Sequence, residues 1–180
     1  MNVYGTRVRI RPTQQDDLPF LQSLWNDKQV MQYLGYPDGM QVTEQGMAHW
    51  WAITPQAQST ETNTNTSYLA TPHCMITLLD DTVIGELAYS IDSNQRARVD
   101  LKLAVAFWSQ GYATEALKLV LRELFATDAA DRVLVEPSPE NTSAIALYQR
   151  CGFRPKPTED HPYRWECRRA EYDARPLNML

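Results

Sequence analysis

Glycine is scarce in this 180-residue chain, with seven residues in all. None of them builds GxGxxG or GxxxxGK[ST], which excludes the glycine-cradled phosphate sites of Rossmann folds and P-loops. GxSxG is absent too, and with it the serine-hydrolase elbow. Cysteine is scarcer still: Cys74, Cys151 and Cys167 form no CxxC pair and are odd in number. They predict reduced, buried thiols and no disulfide framework. His49, His73 and His161 lack ligand spacing with one another or with the cysteines, so no metal site is expected. The longest unbroken apolar run, residues 103–108, is six residues, against the roughly 20 that a membrane span needs. Arginines at positions 7, 9 and 11 stand where a signal peptide would carry its apolar core. These absences predict a soluble, cytoplasmic protein.

What is present is globular in kind. Apolar residues make up 43% and charged residues 22%, and the length suits one well-cored domain, residues 1–180. The net charge of −5 argues against a nucleic-acid backbone or an anionic membrane as partner. Residues 1–95 hold four Arg and Lys against ten Asp and Glu, whereas residues 96–180 hold thirteen against twelve. An acidic front half suits a cationic small molecule or basic peptide, and equally a merely solvated surface.

Val8 and Ile10 alternate with Arg7, Arg9 and Arg11, the period of a half-buried strand that Pro12 ends. Thr13 stands at an N-cap position, with Asp16 and Asp17 in the first turn of a helix that carries Leu18, Leu21, Leu24 and Trp25. A second helix starts near Thr43 and puts Met47, Trp50 and Trp51 on one face; Gly35, Pro37, Asp38 and Gly39 break the chain between the two. Residues 54–72 are rich in Thr, Gln, Asn and Ser and read as an exposed polar loop. Strands at 74–79, 83–91 and 98–105 read as an antiparallel meander. An apolar stripe then predicts a helix over 111–127. A short strand at 132–136, a helix over 141–150 stopped by Gly152, and closing strands at 153–154 and 163–169 follow, before a tail at 172–180. The sum is an α+β fold: a central mixed, mostly antiparallel sheet of about seven strands flanked by about four helices.

Two segments carry chemistry. In LAVAFWSQGYATEAL, residues 103–117, a strand feeds a tight turn and a helix N-terminus, which aims several backbone N–H groups at one spot and suits a phosphate or pyrophosphate. An ordinary strand-to-helix turn reads the same way until the next segment is added. There, VEPSPENTSAIALYQRCGF, residues 135–153, pairs a capped helix with Tyr148 seven residues after Asn141. WSQGYATEAL resembles the [RQ]xxGx[GA] pyrophosphate loop of the GNAT superfamily of acetyl-CoA-dependent N-acetyltransferases. NTSAIALYQRCGF is similar to that family's Asn-x-x-Ala-x-x-x-Tyr-x-x-x-Gly-Phe signature, with Ala144 in the small position. The resemblance covers about residues 6–170, in the family's order of elements.

The resemblance implies a GNAT-like fold and acetyl-CoA as co-substrate. It implies that Leu103, Ala104 and Val105 pair with the pantetheine arm, and that the splayed strand there offers an N–H to the thioester carbonyl. The amides of Ser109, Gln110, Gly111, Tyr112, Ala113 and Thr114 would bind the pyrophosphate. Asn141 would hold the arm, and Tyr148, beside the sulfur, would protonate the departing thiolate. Trp108 departs from the pattern, which prefers Arg or Gln; its ordinary reading is a packing residue under the loop. An aliphatic amine near the Lys reference pKa of about 10.4 must lose a proton before it attacks. Glu136, twelve residues before Tyr148, is the first choice of base, by similarity to ribosomal-protein N-terminal and aminoglycoside 6′-N-acetyltransferases; Asp100, Glu86 and ordered water are rivals. The implied function is acetyl transfer to a primary amine of a small molecule or protein N-terminus by direct attack in a ternary complex. The implied partner is an amine-bearing acceptor bound by a monomer or homodimer. A catalytically silent acyl-CoA-binding or regulatory module is the alternative. Trp25, Tyr33, Tyr36, Trp50 and Trp51 fall in the segment that builds the family's acceptor site, where they could hold a cationic amine or simply serve as core.

Overall fold

In the computed structural model, which describes residues 1–54, 71 and 73–173, the alternation of Val8 and Ile10 yields the expected strand. It spans Val8–Pro12 (β2), after a two-residue strand, Val3–Tyr4 (β1). Both apolar side chains are fully buried. Thr13 caps nothing. Its amide and hydroxyl both donate to the His73 carbonyl, continuing the pairing with the next strand. A single 3-10 turn, Gln15–Asp17, intervenes before helix α1, Leu18–Asn26. Asp17 organises that turn: it accepts from the Gln14 amide at 2.7 Å and holds the Arg11 guanidinium through two bonds of 2.7 Å.

A four-residue helix, Lys28–Met31 (α2), was not visible in the apolar period because one turn is too short to show one; Asp27 caps it through the Gln29 amide. Thr43 caps helix α3, Glu44–Ile53, as expected, and Met47 and Trp50 are buried on its inner face. The meander follows as β3 (His73–Leu78), β4 (Val83–Ile91) and β5 (Arg96–Leu103). β5 starts two residues earlier than the sequence suggests and stops at Leu103, because residues Val105–Phe107 coil into a 3-10 turn. The remaining elements are α4 (Tyr112–Ala126), β6 (Arg132–Val135), α5 (Thr142–Cys151), β7 (Arg154–Pro155), β8 (Trp165–Arg168) and α6 (Arg169–Asp173). Residues 172 and 173, expected in a tail, belong to α6, where Tyr172 is buried against Phe125 with ring centroids 5.3 Å apart. The rest of that tail and residues 55–70 and 72 of the polar loop lie outside the described residues. All three cysteines are buried and unbridged.

The strands form one sheet in the order β1-β2-β3-β4-β5-β6-β8-β7, eight among the described residues where about seven were expected. All neighbours are antiparallel except β5 and β6. One face packs on α4 and α5, with Leu117, Val120, Leu121, Leu124 and Phe153 among its buried residues. The other packs on α1 and α3 through Leu21, Leu24, Trp25, Met47 and Trp50.

Two irregularities shape the sheet's centre. β4 meets β5 over seven residue pairs, from Gly85↔Leu103 to Ile91↔Ala97. The parallel ladder to β6 covers only three, from Arg96↔Arg132 to Arg98↔Leu134. Beyond Arg98 the strands splay, and the sheet opens. The second irregularity is a bulge: Ile76 faces Gly85 and Thr77 faces Val83, so Ile84 is the extra residue. It turns Ile84 and Leu87 into the α4–α5 core and leaves Glu86 on the α1–α3 face, beside Trp25. Gly85 is required at this bulge because a Cβ there would overlap the Lys102 carbonyl oxygen. Gly85→Ala is therefore expected to destabilise the protein by roughly 1–3 kcal/mol, the usual cost of overpacking, read as a lower midpoint in urea unfolding.

Candidate active site

The loop between β5 and α4 is tied down from three sides. Trp108 Nε1 donates to the Leu103 carbonyl at 2.7 Å, and Gln110 Nε2 to the Ala106 carbonyl at 2.8 Å. Arg7, from the start of β2, donates to the Gln110 carbonyl at 3.0 Å and lies over the Tyr112 ring. Its Nε meets Glu115 at 2.9 Å, and the Arg7 amide donates to the same carboxylate at 2.7 Å. Held in this way, Ser109 and Gly111 both take positive φ, 59° and 84°. Gly111 occupies the N-cap of α4 with no side-chain acceptor to offer. The amides of Tyr112, Ala113 and Thr114 open the helix without intrahelical acceptors, at the positive end of its dipole. An anion satisfies them.

Trp108 is not buried under the loop; it is 41% exposed and acts through its indole N–H. That bond changes which backbone groups stand open. Leu103 gives its carbonyl to Trp108, the Ala104 amide donates to the Ile84 carbonyl, and the Val105 carbonyl accepts from the Trp108 amide. Antiparallel pairs alternate between bonded and unbonded, and the bonds Ala104–Ile84 and Asp92–Arg96 fix that alternation along β4 and β5. It turns the amide of Leu103 and both polar groups of Leu101 away from β4, into the splay.

The splay encloses a cavity of about 270 Å³ lined by Tyr89, Arg98, Asp100, Leu134 and Glu136, among others. The two carboxylates are differently held. Glu136 Oε1 accepts from Arg98 at 2.9 Å, an ion pair that bridges the separating strands, and lies 3.1 Å from His161 Nδ1. Asp100 Oδ2 accepts from Lys102 Nζ at 2.6 Å. Asp100 shares the α1–α3 face with Lys102 and Glu86. Tyr148 packs against the α4–α5 core, its ring 5.4 Å from that of Phe153. Burial first, and then the Asp100 charge across the opening, push the Tyr148 phenol well above the ordinary tyrosine range and keep it protonated. Asn141 Oδ1 caps α5 by accepting from the Ala144 amide at 3.0 Å, a bond that leaves its Nδ2 donors unused. Glu86, weighed as a base, is fully buried and lines no part of the cavity.

Sequence reasoning missed what lies under Asp100. Lys102 alternates with Arg98 and Asp100 and so reads as a solvent-facing residue, yet it is 4% exposed. Its Nζ lies 3.6 Å from Glu86, which also accepts from Trp25 Nε1 at 2.7 Å and is paired with His73 Nδ1. His73 packs its ring against those of Trp25 and Trp50. A lone acid amid the apolar residues of 83–91 was the one available signal.

Comparison with known proteins bears on the same elements. The family model of the GNAT acetyltransferase domain matches residues 7–154. An uncharacterised N-acetyltransferase of Bacillus licheniformis is 24% identical over 157 residues, 84% of this chain and 82% of that protein. Spermidine N-acetyltransferase of Vibrio cholerae, solved with CoA and spermine, superposes with a TM-score of 0.73 at 18% identity, over 93% of this chain and 99% of that one. The aminoglycoside acetyltransferase AAC(6')-Ib, solved with CoA and kanamycin, gives 0.71 at 16% identity, over 92% and 97%. At such identities the two structures speak for the fold. The family match, which runs from Arg7 through the loop, the splay and α5, says more: this chain belongs to the GNAT family of acetyltransferases.

Proposed function

We propose that this chain moves acetyl from acetyl-CoA to the primary amine of a small cationic acceptor, by direct attack in a ternary complex. The observation that carries the proposal is the opening in the sheet, with a paired carboxylate on one face and a protonated phenol on the other. Acetyl-CoA, when bound, supplies the thioester carbon that the amine attacks. The chain's own groups suit it: the amides of Ser109 to Thr114 for the pyrophosphate, the Leu101 and Leu103 backbone for the arm, and Asn141 Nδ2 beside it.

The acceptor arrives as an ammonium and reacts as an amine, so its proton must go to a base near the point of attack. We assign that role to Asp100 and not to Glu136. Asp100 is the carboxylate whose charge bears on Tyr148, and Oδ1 is not used by Lys102. Glu136, with Arg98, borders the same cavity and fits an anchor for the rest of a cationic acceptor. As the C–N bond forms and the C–S bond breaks, Tyr148 gives its proton to the departing sulfur. Spermine and kanamycin, held by the two structural relatives, are polycations of the kind that two carboxylates in one cavity would favour. Dependence on acetyl-CoA and three buried cysteines without a disulfide support a cytoplasmic setting.

Three outcomes test this reading. CoA at about 100 Kd is expected to stabilise the fold by ~2.7 kcal/mol, visible as a thermal shift. Gly111→Trp should abolish that shift, since any side chain there meets a strained φ and the Arg7 guanidinium. With spermidine as amine, Asp100→Asn and Tyr148→Phe should each lower kcat by about 10²–10⁴-fold, while Glu136→Gln raises the acceptor KM and spares kcat. Because the phenol is held above the ordinary value of about 10, the wild-type rate should rise with pH and show no alkaline loss below pH about 10. An intact rate in Asp100→Asn returns the base to Glu136 or to water.

A further inference from the structure

Glu86 and Lys102 are the most deeply buried of the acidic, lysine and arginine side chains among the described residues, 0% and 4% exposed. Acetyl transfer as derived above uses neither. Taking two ions out of water costs several kcal/mol each, and a well-packed apolar pair is often the more stable choice. Nothing in the packing of α1 on the sheet demands charge here, because Met75, on the neighbouring strand, fills the same layer with Leu21 and Trp50. The pair is nonetheless built with care. Glu86 and Lys102 face each other directly across β4 and β5. The carboxylate also receives Trp25 from α1 and His73 from β3. Burial would push Glu86 up; Lys102, His73 and Trp25 overcome it and hold the group ionised, at about 2. Lys102 likewise stays charged against its burial because Asp100 and Glu86 flank it.

The one member of this cluster that reaches the cavity is Asp100, two residues from Lys102 on the same face of β5. We propose that Lys102, braced from beneath by Glu86, is a positioning residue that fixes the Asp100 carboxylate in the acceptor cavity. The inference rests on the reading of Asp100 as the proton acceptor. Its physical content is a lever: a buried ammonium 2.6 Å from one carboxylate oxygen sets that oxygen's direction and leaves the other for the incoming amine. The charged and titratable groups around Asp100 are Lys102 and Arg98 on β5, Glu86 and Tyr89 on β4, His73 on β3, Glu136 after β6 and Tyr148 on α5. Of these, only Lys102 donates a hydrogen bond to it among the described residues.

The sign follows from the charge. Removing a cation beside a carboxylate favours the protonated form, so the Asp100 titration should move to higher pH. The direct measurement is a ¹³C NMR titration of the Asp side-chain carboxyls in the full chain, with Asp100 assigned from Asp100→Asn. It needs no acceptor. Lys102→Met is the first variant. Because it leaves Glu86 buried with fewer partners, the double variant Lys102→Met/Glu86→Gln is the second: it removes both charges at nearly constant volume. An upward shift of Asp100 in either folded variant, matched by the same shift in the acid limb of kcat/KM with spermidine, is the expected result. An Asp100 titration unchanged from wild type in the double variant overturns the proposal. So does loss of the fold in both variants, which would assign the buried pair to stability alone. Failure of the underlying reading looks different: Asp100→Asn would keep the wild-type rate while the NMR shift in the Lys102 variants still appeared.

Discussion

The fold turns on a ladder that stops early. Among the described residues β5 and β6 are the only parallel neighbours in the sheet, and their pairing ends after three residue pairs although β5 runs on to Leu103. A strand released on one side while bonded on the other must present unpaired N–H and C=O groups, and those groups need a partner. The same divergence opens the sheet from face to face. Whatever approaches from the α4–α5 side can therefore meet whatever approaches from the α1–α3 side, and the loop held by Arg7, Glu115 and Trp108 stands at the mouth of that passage.

The two faces are chemically unequal. The α4–α5 face is an apolar core that ends in an anion-seeking helix N-terminus and the phenol of Tyr148. The α1–α3 face carries the ions: Glu86, Lys102 and Asp100 within, with Arg98 and Glu136 around the cavity. A reaction that needs a proton removed from one partner and returned to the other is suited by acid on one side of an opening and base on the other. The bulge at Ile84 maintains this division, because strict alternation along β4 from Val83, with no bulge to absorb Ile84, would send Glu86 into the opposite core.

Burying Glu86 makes the acceptor-side helices part of the site's electrostatics. Trp25 and Trp50, from α1 and α3, close on His73 and Glu86. Trp25 of α1 is thus linked to Asp100 through Glu86 and Lys102 without any direct contact. In low dielectric such a chain of ion pairs and hydrogen bonds is stiff, and a half-satisfied one is costly.

Local pattern along the chain is enough for the order of the longer elements, the meander, the caps at Thr43 and Asn141, and the anion-seeking loop at Gly111. All of these are local: they depend on alternation, on helical period and on side chains bonding their own backbone within a few residues. The two GNAT signatures were legible for the same reason, each lying within one continuous segment. What only the tertiary structure decided is non-local. Lys102 reads as an exposed residue until Glu86, sixteen positions earlier and shifted by a bulge, arrives across the strand. Glu136 reads as a free base until Arg98 and His161 close on it. Trp108 reads as packing until its indole claims the Leu103 carbonyl. Each reversal has one physical cause: the charge state and availability of a polar group are set by whichever distant partner folding brings within about 3 Å, and local pattern carries no record of that partner.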